Sequence, residues 1–127
     1  MAGLVFLRTQ QQAQLRRFYT ERVGMRIWLE QPRICILNHE NLLVGFQESD
    51  VSDIDTLLTF FYPAREGVDA MYREFSQEAE GEPEENASYR IYNFFARDPE
   101  GRRIEFQCFL HNVDISALGC GSFLPGP

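Results

Sequence analysis

The feature that most limits how this chain can fold is that it repeats itself. Leu4-Val-Phe-Leu-Arg-Thr9 is a short apolar run, and Leu15-Arg-Arg-Phe-Tyr-Thr-Glu21 after it carries apolar residues at helical spacing. Fifty-three positions on, from Leu4 to Leu57, Leu57-Leu-Thr-Phe-Phe-Tyr62 restates the strand and Val68-Asp-Ala-Met-Tyr-Arg-Glu74 the helix. Val68, Met71, Tyr72 and Phe75 fall at i, i+3, i+4 and i+7, a stripe suited to lie on a sheet. The later strands repeat as well: Asn38-His-Glu-Asn-Leu-Leu-Val-Gly-Phe-Gln47 aligns with Asp98-Pro-Glu-Gly-Arg-Arg-Ile-Glu-Phe-Gln107, sixty positions on, the extra residues being an acidic Gly-Glu-Pro insertion. Self-similarity of this kind decides architecture. Each half reads strand, helix and three strands, the last three at 25–31, 33–38 and 42–48 in the first half, and near Pro83, at 89–97 and at 102–110 in the second. The pattern predicts an α+β fold of two tandem βαβββ modules, about 3–50 and 56–110, within one domain over 1–127, with residues 111–127 as a tail of little regular structure.

The second half closes on Asp98-Pro-Glu-Gly101, with proline and glycine where a tight turn needs a fixed φ and a positive φ. It runs into Ile104-Glu-Phe-Gln-Cys-Phe109, which alternates as a strand does. Glu105 falls in phase with Gln107 and Phe109, opposite Ile104, Phe106 and Cys108. With both faces of the sheet covered, this carboxylate lies inside the protein and needs a partner.

Composition removes several function classes. A chain of 127 residues, 44% apolar, supplies one domain's core, and no apolar run is long enough to span a bilayer. The N-terminus has no basic flank or cleavage pattern of a signal peptide, so the expected compartment is the cytoplasm. Net charge is −7 and every cation is arginine, which argues against phosphate-rich partners and excludes a lysine Schiff base. Cys35, Cys108 and Cys120, with His39 and His111, do not make a zinc cluster or a disulfide framework; Cys35 and Cys108 read as buried and inert. His39 reads as an exposed turn residue, His111 as a surface residue, and the five glutamates of residues 78–85 as a solvated loop.

Paired βαβββ modules, with Phe18-Tyr19 and Val23-Gly24-Met25 after the first helix and Asp98-Pro-Glu-Gly with Glu105-Phe106 at the end, resemble the vicinal oxygen chelate superfamily. That superfamily includes glyoxalase I, extradiol dioxygenases, fosfomycin-resistance transferases and bleomycin-binding proteins. The resemblance covers about residues 3–110 and implies a curved mixed sheet around a cleft, frequently in a homodimer. Metal-dependent relatives place a ligand on the first and last strand of each module, and the two offsets carry those positions onto Leu4, Leu57, Gly45 and Glu105. Only Glu105 bears a donor atom. A catalytic divalent ion generally needs about three protein donors, so no metal and no cofactor is expected.

Strand parity then lists what the cleft contains. An inward Leu4 brings Phe6 and Arg8, Leu57 brings Thr59 and Phe61, Gly45 brings Gln47, and Glu105 brings Gln107 and Phe109. Arg8 suits Glu105 as an ion-pair partner. Trp28 is a candidate stacking surface at the mouth, and Tyr92 and Phe94 belong to a strand of alternating aromatics of which one set faces the cleft, parity leaving open which. Three functions fit this inventory. The leading one is a metal-free binding protein for an aromatic or cationic small molecule, through Phe6, Arg8, Trp28, Gln47, Thr59, Phe61, Tyr92, Glu105 and Gln107. The others are a superfamily enzyme (lyase, isomerase or dioxygenase) with an unusual metal site or with Glu105 as catalytic base, and a non-catalytic protein acting through its subunit interface.

Overall fold

The computed structural model describes residues 1–119; Cys120 and the end of the tail lie outside them. The chain divides into two compact units, Met1–Ile54 and a second beginning at Asp55. Each is one βαβββ module, as the repeat predicts.

In the first module β1 (Val5–Thr9) leads into helix α1 (Gln12–Arg17), which widens into a π-helical turn (Phe18–Val23), followed by β2 (Arg26–Gln31), β3 (Ile34–His39) and β4 (Leu42–Glu48). The strands lie in the order β1-β4-β3-β2, with β1 parallel to β4 and the other pairs antiparallel. Thr9 starts the turn into α1 by accepting the Gln11 amide on its hydroxyl (2.8 Å), and Gln12 pins the helix to β4 by donating to the Phe46 carbonyl (2.8 Å). Gly24, at φ 93°, ends the π turn in a conformation that side chains resist. The core lies between helix and sheet: Leu7, Leu15, Leu37, Val44 and Phe46 are buried, and the buried Tyr19 ring stacks on Phe46 at 5.2 Å.

The second module has β5 (Leu57–Tyr62), α2 (Arg65–Phe75), β6 (Glu84–Asn86), β7 (Ile91–Arg97) and β8 (Arg103–Phe109), in the order β5-β8-β7-β6. Phe106 is the centre of its core, with the Phe60, Phe75 and Phe94 rings at 5.7, 5.1 and 5.1 Å. Burial of such a ring contributes about 1.5–3 kcal/mol, so this cluster, rather than local propensity, holds α2 on the sheet.

The Asp98 turn closes as its sequence predicts, with Gly101 at φ +85° and its amide on the Asp98 carbonyl (2.9 Å). Its side chains do more than the sequence suggests. Arg102 is wholly buried, donating to Asp98 Oδ2 at 2.6 Å and Glu100 Oε1 at 3.3 Å, while Asp98 Oδ1 accepts the amides of Glu100 and Arg102.

Two expectations are corrected. The acidic stretch is not simply a solvated loop: Glu80 accepts both arms of Arg103 (3.0 and 3.0 Å) and pairs with Arg97 (3.2 Å), and Ala79 bridges Ala96, while Glu84–Asn86 is the strand expected near Pro83. His39 is not at a turn tip: it is the last residue of β3, opposite Leu42, and half-buried, because this hairpin turns on Glu40 and Asn41 alone. Among the described tail residues, Ser116–Leu118 form a short 3-10 turn, the one regular element there. No helix among the described residues is long and apolar enough to cross a membrane.

Candidate functional site

Each sheet has one face under its helix and one face away from it, and the two faces of the second module differ sharply. Ile104, Phe106 and Cys108 point toward α2 and are buried there. Register then sets the other face: Thr59 pairs with Glu105, Phe61 with Gln107, Phe95 with Glu105 and Asn93 with Gln107. Over this face opens a cavity of about 690 Å3, lined by residues of the second module.

At its floor lies Glu105, only 7% exposed. Its Oε1 accepts the Thr59 hydroxyl at 2.8 Å and its Oε2 accepts the Asn93 side-chain amide at 2.7 Å. A carboxylate held on both oxygens keeps one orientation, and each oxygen retains a lone pair. Gln107 stands beside it, and its side-chain amide hydrogen-bonds no described residue. Leu57, Ile91, Phe95, Phe109 and Tyr89 supply the apolar walls, and Glu84, Glu85 and Asn86 the rim. No arginine or histidine lines the cavity, so its charge is carboxylate only. Among the described residues no group of three His, Cys, Asp or Glu side chains is placed to hold a metal ion.

The structure therefore brings together Thr59, Glu105 and Gln107 from the residues the sequence singles out. Phe61 lies one step along the same face, edge-on to Phe109 at 5.4 Å, and lines an adjoining cavity of about 450 Å3 with His111. Tyr92 is on the opposite face. Its hydroxyl donates to Asp69 of α2 at 2.6 Å, a bond that pushes its pKa up to about 12, and the Arg65 guanidinium lies over its ring at 4.7 Å. Phe94 shares that face, packed on Phe106.

In the first module, Phe6 is 49% exposed and its ring lies over Gly45, whose added Cβ would meet it at 2.6 Å. Arg8 does not partner Glu105: its guanidinium grips Asp53 at 2.8 and 3.0 Å, in the segment after β4 that lies between the two expected modules. Trp28 is the extra residue of a bulge in β2, 56% exposed, and Gln47 is exposed on β4 next to Arg8. Cys35 and Cys108 are buried, and burial raises both thiol pKa values, which suits an inert role.

Sequence reasoning missed Asn93 and Phe95. The signal was present: Asn93 is an uncommon residue for a strand interior, in phase between two apolar residues, Ile91 and Phe95.

No family model matches the sequence, and no curated protein is significantly similar to it. Solved structures do match. A glyoxalase/bleomycin resistance protein/dioxygenase from Nocardioides aligns over 89% of this chain and 85% of its own, at 12% identity and a TM-score of 0.70. A glyoxalase/bleomycin resistance protein/dioxygenase family enzyme from Burkholderia phytofirmans aligns over 84% and 97%, at 21% identity and a TM-score of 0.73. A lactoylglutathione lyase from Agrobacterium tumefaciens aligns over 85% and 92%, at 14% identity and a TM-score of 0.68.

Proposed function

We propose, from the premise that this chain has the glyoxalase/bleomycin-resistance/dioxygenase fold of the vicinal oxygen chelate superfamily, that it is a small-molecule-binding protein. Its site is the second-module cavity, and its ligand is an organic cation or aromatic molecule held without a divalent ion. One observation carries the reading: a buried carboxylate, fixed by Thr59 and Asn93, opens onto a cavity that offers it no cationic partner. A buried charge without a counter-ion favours a ligand that brings one.

The fold's divalent-ion chemistry does not fit these residues. Leu4, Gly45 and Leu57 have no side-chain donor at the positions the superfamily uses, and each Glu105 oxygen already holds a hydrogen bond. Fold alone does not bring the activity with it.

Isothermal titration of small organic ammonium ions and their neutral isosteres against the wild type and Glu105→Gln tests this. The ammonium ions should bind, with or without a chelator, and lose about thirtyfold or more in the variant, the penalty typical of unpairing a buried charge. Neutral isosteres should change little. Equal losses for both, or no binding of cations, would overturn the reading; product formed from a bound ligand and lost in Glu105→Gln would replace binding by catalysis with Glu105 as the base.

We also propose that the protein is a homodimer, in the cytoplasm. Support for the dimer comes from β2, an edge strand with all six residues exposed, among them Ile27, Trp28 and Leu29.

A further inference from the structure

Resting on that binding reading, we propose that the cavity takes an arylalkyl primary amine, its ammonium on Glu105 and Gln107 and its ring on Phe95, with Arg103 and Glu80 as the pair that positions Phe95.

Phe95 and Glu105 are register partners on adjacent strands and line the same cavity. Side chains so paired stand about 5 Å apart at their Cβ atoms. A platform and a charge that close define a ligand whose ring and cation are joined by a linker of two or three atoms.

The platform is held by its neighbour on β8. The Arg103 guanidinium lies over the Phe95 ring, 3.6 Å from its centroid, and both of its arms are fixed by Glu80 at 3.0 Å. That bond also holds the Glu80 carboxyl below the usual carboxylate range. Phe95 lines the cavity and Arg103 does not. A ring whose quadrupole already serves one cation is a poor site for a second and a good site for another ring. The ligand's charge is thus directed away from Phe95 and onto Glu105.

The kind of cation follows from counting acceptors. An ionised carboxylate has about four lone-pair sites. Thr59 and Asn93 take one on each oxygen, which leaves one on each, and the Gln107 carbonyl adds a third acceptor beside them. A primary ammonium brings three N–H donors; a quaternary ammonium brings none and would leave those acceptors buried and unmet.

The test is titration calorimetry with 2-phenylethylamine, 2-cyclohexylethylamine, the N,N,N-trimethyl derivative of the first, and n-butylamine, against the wild type, Glu105→Gln, Phe95→Leu and Arg103→Met. The phenyl amine should bind about tenfold tighter than the cyclohexyl one, and the trimethyl derivative about tenfold or more weaker. Phe95→Leu and Arg103→Met should each erase most of the phenyl preference, read as the ratio of phenyl to cyclohexyl affinity, a ratio that a merely structural role would not move. Arg103 is 40% exposed, so its replacement is compatible with folding, and Glu80→Gln, which frees the same guanidinium, should reproduce the effect. Equal binding of phenyl and cyclohexyl amines that still depends on Glu105 would sink this inference and leave the binding function standing. No binding by any of the amines would sink both.

Discussion

The two modules agree on the face under the helix and part company on the face away from it. Val44 and Phe46 of β4 are buried against the first helix, and Ile104 and Phe106, sixty positions on, against the second. Between each pair sits one residue pointing the other way, and there the modules diverge. Gly45 pairs with Phe6, whose ring lies on the space a side chain would take; Glu105 pairs with Thr59, which donates to it. One register position is stopped with a ring in the first module and left as an open carboxylate in the second. The helix-side core defines the module, so the opposite face is free to become either a packed surface or a cavity. The closing turns differ in the same sense. Module one turns on Glu40 and Asn41, with Glu40 at φ 51°, whereas module two buries an Asp98–Arg102 ion pair in a longer turn.

That last contrast predicts the largest effect. Arg102→Leu, which places at this site the residue type found at Leu42, should destabilise the chain by about 3–5 kcal/mol, because the buried Asp98 carboxylate loses the guanidinium that neutralises it. Adding Asp98→Asn, the residue type of Asn38, should recover at least half of that. Asparagine still offers an oxygen to the amides of Glu100 and Arg102 and carries no charge. Urea denaturation of the three proteins measures it. If the double variant is no better than the single one, the turn is held by something other than the charge pair.

A smaller effect lies at the diverging register position. Gly45→Glu should cost roughly 1–3 kcal/mol, since its Cβ meets two atoms of the Phe6 ring at 2.6 Å and forces the ring off the sheet. Phe6→Thr in the same chain removes the obstacle and supplies a hydroxyl in the register that Thr59 holds toward Glu105. The pair of changes should therefore be less destabilising than the sum of the singles, by a coupling of about 1 kcal/mol in a thermal double-mutant cycle. Strict additivity would show that the ring over Gly45 is incidental.

Much of this was legible from the repeat. The offset that aligns Gly45 with Glu105 gives the phase of Thr59, Gln107 and Phe109, because parity along a strand is rigid once one residue is placed. What escaped was whatever depended on a side chain's reach. Nothing in the pattern shows that Arg8 takes Asp53 from the segment after β4, or that Arg102 is swallowed by its own turn. The phase of β7 was open because both of its sets, Tyr92 and Phe94 against Ile91, Asn93 and Phe95, are rich in apolar and aromatic residues. A tyrosine whose hydroxyl finds Asp69 on a helix packs under that helix as readily as a phenylalanine does. The acidic stretch misled for a related reason: its composition is that of a solvated loop, and only the fold brings Arg97 and Arg103 to Glu80.

The smallest expected effect distinguishes the two turns by titration. His39 ends β3 half-buried, whereas the residue sixty positions on, Pro99, cannot titrate. Burial penalises the imidazolium and lowers the His39 pKa, only partly opposed by the neighbouring Glu40 carboxylate. The unfolded chain, with an ordinary histidine near pH 6.5, then takes up its proton before the folded chain does. The stability His39 contributes is accordingly complete above that value and is lost as pH falls through it toward the lower folded pKa. Urea unfolding of the wild type and His39→Gln should show the wild type losing ground to the variant between pH 8 and pH 5. A difference that stays flat over that range would mean the folded imidazole is as well solvated as the unfolded one, and the first turn would then be the open, exposed hairpin tip that its sequence suggests.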